Sequence, residues 1–184
     1  MKSMKKLKSI TMVLALMMTF GAIAQNADDE RIMADADEAK QTLLAKDSGL
    51  GEFFDSAEGY VIFPNVGEGG FILGAASGNG VLYENGTAQG MSSLKKVDVG
   101  FQIGGQAITE VIFFETEDAL TEFKTDEFTF SGEVSATAVK QGVSENLNYS
   151  DGVLVIAMPK AGLMADVSIG GQKFTYTPMD ELEQ

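Results

Sequence analysis

The chain has 184 residues, no cysteine and no histidine, and 27 acidic against 13 basic residues, for a formal net charge of −14. That length suits one domain of the usual ~100–200 residues, and the missing residue types remove disulfide staples, thiol nucleophiles, histidine triads and the common zinc ligands. So acidic a chain repels polyanions, which argues against nucleic acid as a partner, because phosphate neutralisation by Lys and Arg dominates that affinity.

The first 24 residues read as a secretory leader. Lys2, Lys5, Lys6 and Lys8 form a basic start, an apolar run follows from Ile10 to Phe20, and Ala22-Ile23-Ala24 supplies small residues for cleavage. The run is shorter than the ~20 residues a spanning helix needs. Cleavage is expected between Ala24 and Gln25, giving an exported protein, periplasmic or secreted. Four basic and no acidic residues would leave with the leader, so 9 basic against 27 acidic residues give −18.

Residues 26 to 47 carry a helical stripe: Ile32, Ala36, Ala39 and Leu43 at i, i+4, i+7 and i+11. Ser48-Gly49 ends it, and Leu50, Phe53 and Phe54 predict a short second helical turn. Tyr60-Val61-Ile62-Phe63 reads as a buried strand stopped by Pro64-Asn65. In the next strand Phe71, Leu73 and Ala75 share one face, while Gly70, Ile72, Gly74, Ala76 and Gly78 share the other. A face so bare costs conformational entropy, and is tolerable where a backbone, sheet or ligand lies close. Asn79-Gly80 and Asn85-Gly86 are both hairpin-turn dipeptides.

Alternation returns from Val97 to Gln106, with Asp98, Gly100, Gln102, Gly104 and Gln106 on one face. Glu110 to Glu115 is a buried strand with acidic ends. Thr116 is an N-cap for a helix to Lys124. From Phe128 to Val139 the period is two again, and strands are expected near 152–158, 163–169 and 172–177, with turns at Pro159–Gly162 and Gly170-Gly171. The tail from Asp180 is acidic and reads as loose. The expected divisions are a leader over 1–24, a helical segment over 25–56, a β-rich domain over 57–178 and the acidic tail over 179–184.

A helix followed by many short strands and one inserted helix gives a single α+β domain. The expected form is a strongly curved antiparallel sheet or two-sheet sandwich, with the N-terminal helix across one opening. The glycines do not make a nucleotide loop: the sixth motif position counted from Gly67 is Ile72, from Gly78 it is Tyr83, and no G-x-x-x-x-G-K-[ST] occurs. Asp98, Glu110 and Asp166 are the acids available for acid–base work, at distances that sequence does not give. No catalytic centre, metal or cofactor is expected.

In order along the chain, Gly59-Tyr60-Val61-Ile62-Phe63-Pro64, then Gly69-Gly70-Phe71 with Gly74 and Gly78-Asn79-Gly80-Val81-Leu82, then Gly100-Phe101-Gln102-Ile103-Gly104-Gly105-Gln106, then Lys160-Ala161-Gly162-Leu163-Met164-Ala165-Asp166-Val167-Ser168 resemble the SYLF family. This family of lipid-binding domains is also called the Ysc-type actin-binding domain. The resemblance covers roughly residues 57 to 176. It implies non-catalytic phospholipid binding, actin binding in some eukaryotic members, and an envelope location in bacterial ones. Two positions depart from the family's habit: Glu68 where a basic residue is common, and Met91-Ser92 where tryptophan-serine is common.

The reading is therefore an exported SYLF-type protein that binds phospholipid or a membrane surface. The alternative is a structural or assembly module of the envelope that pairs with a protein partner or a second copy. Candidate ligand-binding residues are Gly70, Phe71 and Gly74 on the glycine-thinned strand, the adjacent cations Lys95 and Lys96, and the amides Gln102 and Gln106.

Overall fold

The structure, a computed structural model, describes residues 27–67, 75–97, 107–125, 128–129, 135–160, 167–168 and 171–182. Residues 27–46 are helical (α1). Contacts divide the chain after Arg31. In the first unit Arg31 is paired with Asp28 at 3.2 Å on the surface. The second unit, from Ile32 onward, holds everything that follows.

After α1 come α2 (Leu50–Ser56), β1 (Gly59–Val66), β2 (Ala75–Glu84), β3 (Thr87–Val97) and β4 (Ile108–Phe114). Then follow α3 (Glu117–Phe123), β5 (Phe128–Thr129), β6 (Ser135–Ala138), a 3-10 turn (Ser144–Asn146), β7 (Val153–Pro159), β8 (Val167–Ser168), β9 (Gln172–Pro178) and α4 (Met179–Leu182). The strands run in the order β5-β9-β3-β2-β1-β4-β7-β6-β8. Every described pairing is antiparallel except β6 with β7. The α+β class and the N-terminal and inserted helices are as the sequence implies.

Both faces of the central strands are buried, so residues 60–63 of β1 and 111–114 of β4 are unbroken apolar runs. On the outer face Tyr60, Ile62, Val81, Val111, Phe113 and Ile156 pack with Ala36, Ala39 and Leu43 of α1 and Leu50 and Phe54 of α2. Those contacts hold α1 against the outer face of the sheet. On the inner face Val61, Phe63, Leu82, Leu94, Ile112 and Phe174 pack with Leu120 and Phe123 of α3.

The sheet curls hard around that inner face. Gln172 on β9 reaches Glu110 on β4 at 3.1 Å, although the two strands are four positions apart in the sheet. At about 4.8 Å per strand a flat sheet would hold them ~19 Å apart.

Glycine on the inner face allows the curl. A Cβ on Gly80 would lie 2.5 Å from the Ile62 carbonyl oxygen and 2.6 Å from the Phe63 ring, and one on Gly90 would lie 2.5 Å from the Tyr176 ring. Aromatic rings from neighbouring strands fill the space those glycines leave, and Phe63 goes on to meet Phe174 with ring centroids 5.7 Å apart.

Three local expectations change. Asn79-Gly80 is not a turn: both lie inside β2, opposite Ser93 and Ser92. The β2–β3 hairpin turns at Asn85-Gly86, whose φ values of 49° and 74° are those a tight primed turn needs. Pro64-Asn65 does not end β1, which continues to Val66 with a register shift between Phe63 and Val66. The irregularity accommodates a proline without an N–H in a central strand, and the Pro64 carbonyl accepts the Thr109 hydroxyl at 3.2 Å. The tail is not loose throughout, since α4 is helical and Leu182 packs against the outer core.

Candidate functional site

Register places one end of several strands in a row. Ala75 stands opposite Val97, Lys96 opposite Gln172, Val66 opposite Ile108, and Ile108 opposite Pro159. Three stretches carrying the sequence motifs, 68–74, 98–106 and 161–166, connect strands that end or begin in this row. Gly70, Phe71, Gly74, Gln102 and Gln106 lie outside the described residues, as do Asp98 and Asp166. The ends of the strands that flank them do not.

This end gathers lysine. Lys95 on β3 stands opposite Ser77 on β2 and Lys173 on β9, and Lys173 in turn stands opposite Thr129 on β5. Lys95, Lys173, Ser77 and Thr129 are all exposed. Two residues toward the centre of β3, the Ser93 and Thr175 hydroxyls meet at 2.6 Å. Lys96, placed by its backbone, is next along β3, and exposed Lys160 follows β7. Of the adjacent pair Lys95-Lys96, the described side chain thus joins a lysine 78 positions further along the sequence.

Behind the row, inside the curl, sits the Glu110–Gln172 pair, 0% and 1% exposed. The Gln172 amide donates to the Glu110 carboxylate, a contact that offsets part of the large cost of removing a carboxyl group from water. The sequence marked Glu110 as a strand end; the structure puts it within β4, facing inward with Ile112 and Phe114.

Outside the sheet, beside α1, the same end opens into a cleft of about 320 Å³. Asp35, Glu38 and Thr42, at i, i+3 and i+7 on α1, form one wall; Thr109, Met158 and Lys160 form the other. Asn65 bridges the two. Its amide nitrogen donates to Asp35 at 3.4 Å and its oxygen accepts from the Lys160 ammonium. Nothing local in the sequence announces this meeting, because Asn65 and Lys160 are 95 residues apart.

The opposite end is acidic. Glu58 precedes β1, Glu84 closes β2, Glu115 follows β4, Asp151 precedes β7, and Asp180 and Glu181 follow β9. Lys124 at that end is ion-paired with Glu84.

Polar contacts fasten α1 over the outer core. The Lys40 ammonium donates to the Tyr60 hydroxyl at 2.8 Å and lies 4.6 Å from the centre of the Phe54 ring. The Tyr83 hydroxyl donates to Asp37 at 3.4 Å. Burial, then the nearby Asp37 charge, holds the Tyr83 phenol above its ordinary range. Among the described residues no cluster of three acids could hold a metal, and no helix is long and apolar enough to cross a membrane.

A curled, mostly antiparallel sheet with helices on both faces and its polar features collected at one end defines an α+β domain of a particular kind. Residues 95–179, a little under half of the chain, match the family described as Ysc84, Las17-binding protein actin regulator. The match agrees with the SYLF family, whose motifs the sequence resembles. The match begins at Lys95 and takes in Lys96, Glu110, Lys160, Gln172 and Lys173. No curated protein matches the chain.

Proposed function

We propose that this is an exported phospholipid-binding protein that meets the bilayer with its lysine end. One observation carries the reading: in a chain of net charge −14, Lys95, Lys96, Lys160 and Lys173 collect at one end of the sheet while the described strand-flanking acids collect at the other. Net charge alone would repel an anionic surface. The ten residues of β2 span ~33 Å at ~3.3 Å per residue, several times the Debye length of ~8 Å at physiological ionic strength. A membrane touched by the lysines is therefore screened from the acids.

Magnitude says what kind of binding this is. A cation near an anionic surface contributes about 1 kcal/mol, so the three exposed lysines, Lys95, Lys160 and Lys173, give ~3 kcal/mol, equivalent to a Kd of roughly 6 mM. Contact of that strength is reversible and salt-sensitive, and firm binding needs a more specific contribution. The leader at residues 1–24 supports an extracytoplasmic setting and favours lipid over the actin regulation that the family's description names.

An assembly role drew on the glycine-thinned strand as a docking face. The lipid reading drew on it too; in its described part that space is filled from within, since Gly78 lies against Val66 and Gly80 against Phe63, so the face favours neither reading and the lysine end is what favours lipid. Vesicle flotation tests it. The purified protein should float with phosphatidylglycerol vesicles at low salt and be released as salt rises. Failure to float with anionic and neutral vesicles alike removes the proposal.

A further inference from the structure

The cleft between α1 and the end of β7 has two carboxylates on one wall and an ammonium on the other, and these are not neutralised by direct pairing. Asn65 stands between Asp35 and Lys160, taking a hydrogen bond from one and giving a long one, 3.4 Å, to the other. Neither of the two ion pairs seen among the described residues is in the cleft. The Glu38 side chain is exposed and makes no hydrogen bond among the described residues, and only its backbone carbonyl is engaged, by Thr42 at 2.9 Å. Two acids three apart on one helical stripe repel each other, a cost that a cation between them would reverse.

Resting on the phospholipid reading above, we infer that this cleft takes a phosphoethanolamine group, with its primary ammonium between Asp35 and Glu38 and its phosphodiester on Lys160. The order of charges across the cleft, negative wall to positive wall, is complementary to a zwitterion with ammonium at one end and phosphate at the other. A primary ammonium has three N–H donors to share between carboxylates, whereas a trimethylammonium has none to give. The volume of about 320 Å³ is at the small end of ligand pockets, which run from ~300 Å³, and so suits a headgroup rather than a whole lipid. Met158 and Pro159 give the cleft an apolar side along which the glycerol backbone can leave. Bound this way, the headgroup replaces the Asn65 bridge with two charge-assisted contacts, supplying the specificity that surface lysines alone lack.

The same chemistry could arrive as a lipid or as a soluble phosphodiester, and the test separates them. The full chain, labelled with nitrogen-15, is titrated with glycerophosphoethanolamine, glycerophosphocholine and glycerol 3-phosphate. It is also floated on phosphatidylglycerol vesicles that contain either phosphatidylethanolamine or phosphatidylcholine. Glycerophosphoethanolamine should shift the amides of Thr109 and Met158, and the choline analogue should not. Glu38→Gln and Lys160→Met, both at exposed positions, should each weaken that response about tenfold, the loss of roughly one charge-assisted contact. Flotation should favour the ethanolamine vesicles, and Glu38→Gln should erase the preference while leaving flotation on the choline vesicles intact. Equal response to the two soluble probes, or a preference that survives Glu38→Gln, overturns the inference. A normal response to glycerophosphoethanolamine with no flotation on any vesicle overturns the membrane reading and leaves the cleft's ligand class standing.

Discussion

Asp47 closes α1 by accepting from the Ser144 N–H at 2.8 Å, the Ser144 hydroxyl at 3.0 Å and the Gly49 N–H at 3.1 Å. These donors, the Ser144 backbone N–H foremost, hold its carboxyl below the ordinary range. A depressed carboxylate pKa contributes stability above the unfolded value of about 3.9, and that contribution fades as pH falls through the lower folded value. Asp47→Asn should therefore lower the melting temperature at pH 7, with the gap to the parent closing in strong acid. A gap that stays constant with pH would show that the charge plays no part. Gln172 makes a second residue-scale prediction. Gln172→Leu removes the amide donor from buried Glu110 and should cost about 1–3 kcal/mol in chemical denaturation. A neutral result would mean that the contact is incidental.

At the scale of elements, glycines with the same look serve different ends. Gly86 has a φ of 74° and nothing within 4 Å of an added Cβ, so alanine there meets only backbone strain of about 1–2 kcal/mol. Gly80 sits in a strand with a carbonyl oxygen 2.5 Å from the added carbon, and alanine there should cost about 3 kcal/mol, the top of the usual range for overpacking. Urea midpoints should fall further for Gly80→Ala than for Gly86→Ala, and the reverse order would contradict the close packing described for Phe63. The same pair shows what was legible in the sequence. Asn85-Gly86 and Asn79-Gly80 are identical dipeptides in chain order, and only contacts from β1 tell a turn from a strand. The α1 stripe and the Thr116 cap, whose hydroxyl accepts from the Ala119 N–H at 3.2 Å, rest on local pattern and could be read directly. Asp151-Gly152, with φ values of 50° and 75°, is a turn dipeptide legible in the sequence, at the point where only a strand near 152–158 is expected. Of the site, Lys95 and Lys96 stood out as an adjacent pair. Lys173, Asn65 and the α1 acids did not, because register between distant strands brings them together and no short window contains it.

At the scale of the whole molecule, the second unit is a curled sheet whose described strand-flanking lysines gather at one end and strand-flanking acids at the other. Under the proposed reading, that arrangement would reconcile a strongly acidic chain with an anionic partner, since it depends on where charge sits rather than on its sum. It would also give the proposed binding an orientation, with the Asn85-Gly86 hairpin and the Glu115 to Asp118 stretch pointing away from the membrane. The measurement that tests this most directly is flotation on phosphatidylglycerol vesicles of two charge-reversed proteins. Lys95→Glu with Lys173→Glu should abolish binding, while Glu117→Lys with Glu181→Lys, at the far end, should leave the bound fraction unchanged at physiological salt. Equal binding by both proteins, or rescue of the first by adding the second pair of changes, would contradict the account by showing that net charge and not its placement decides.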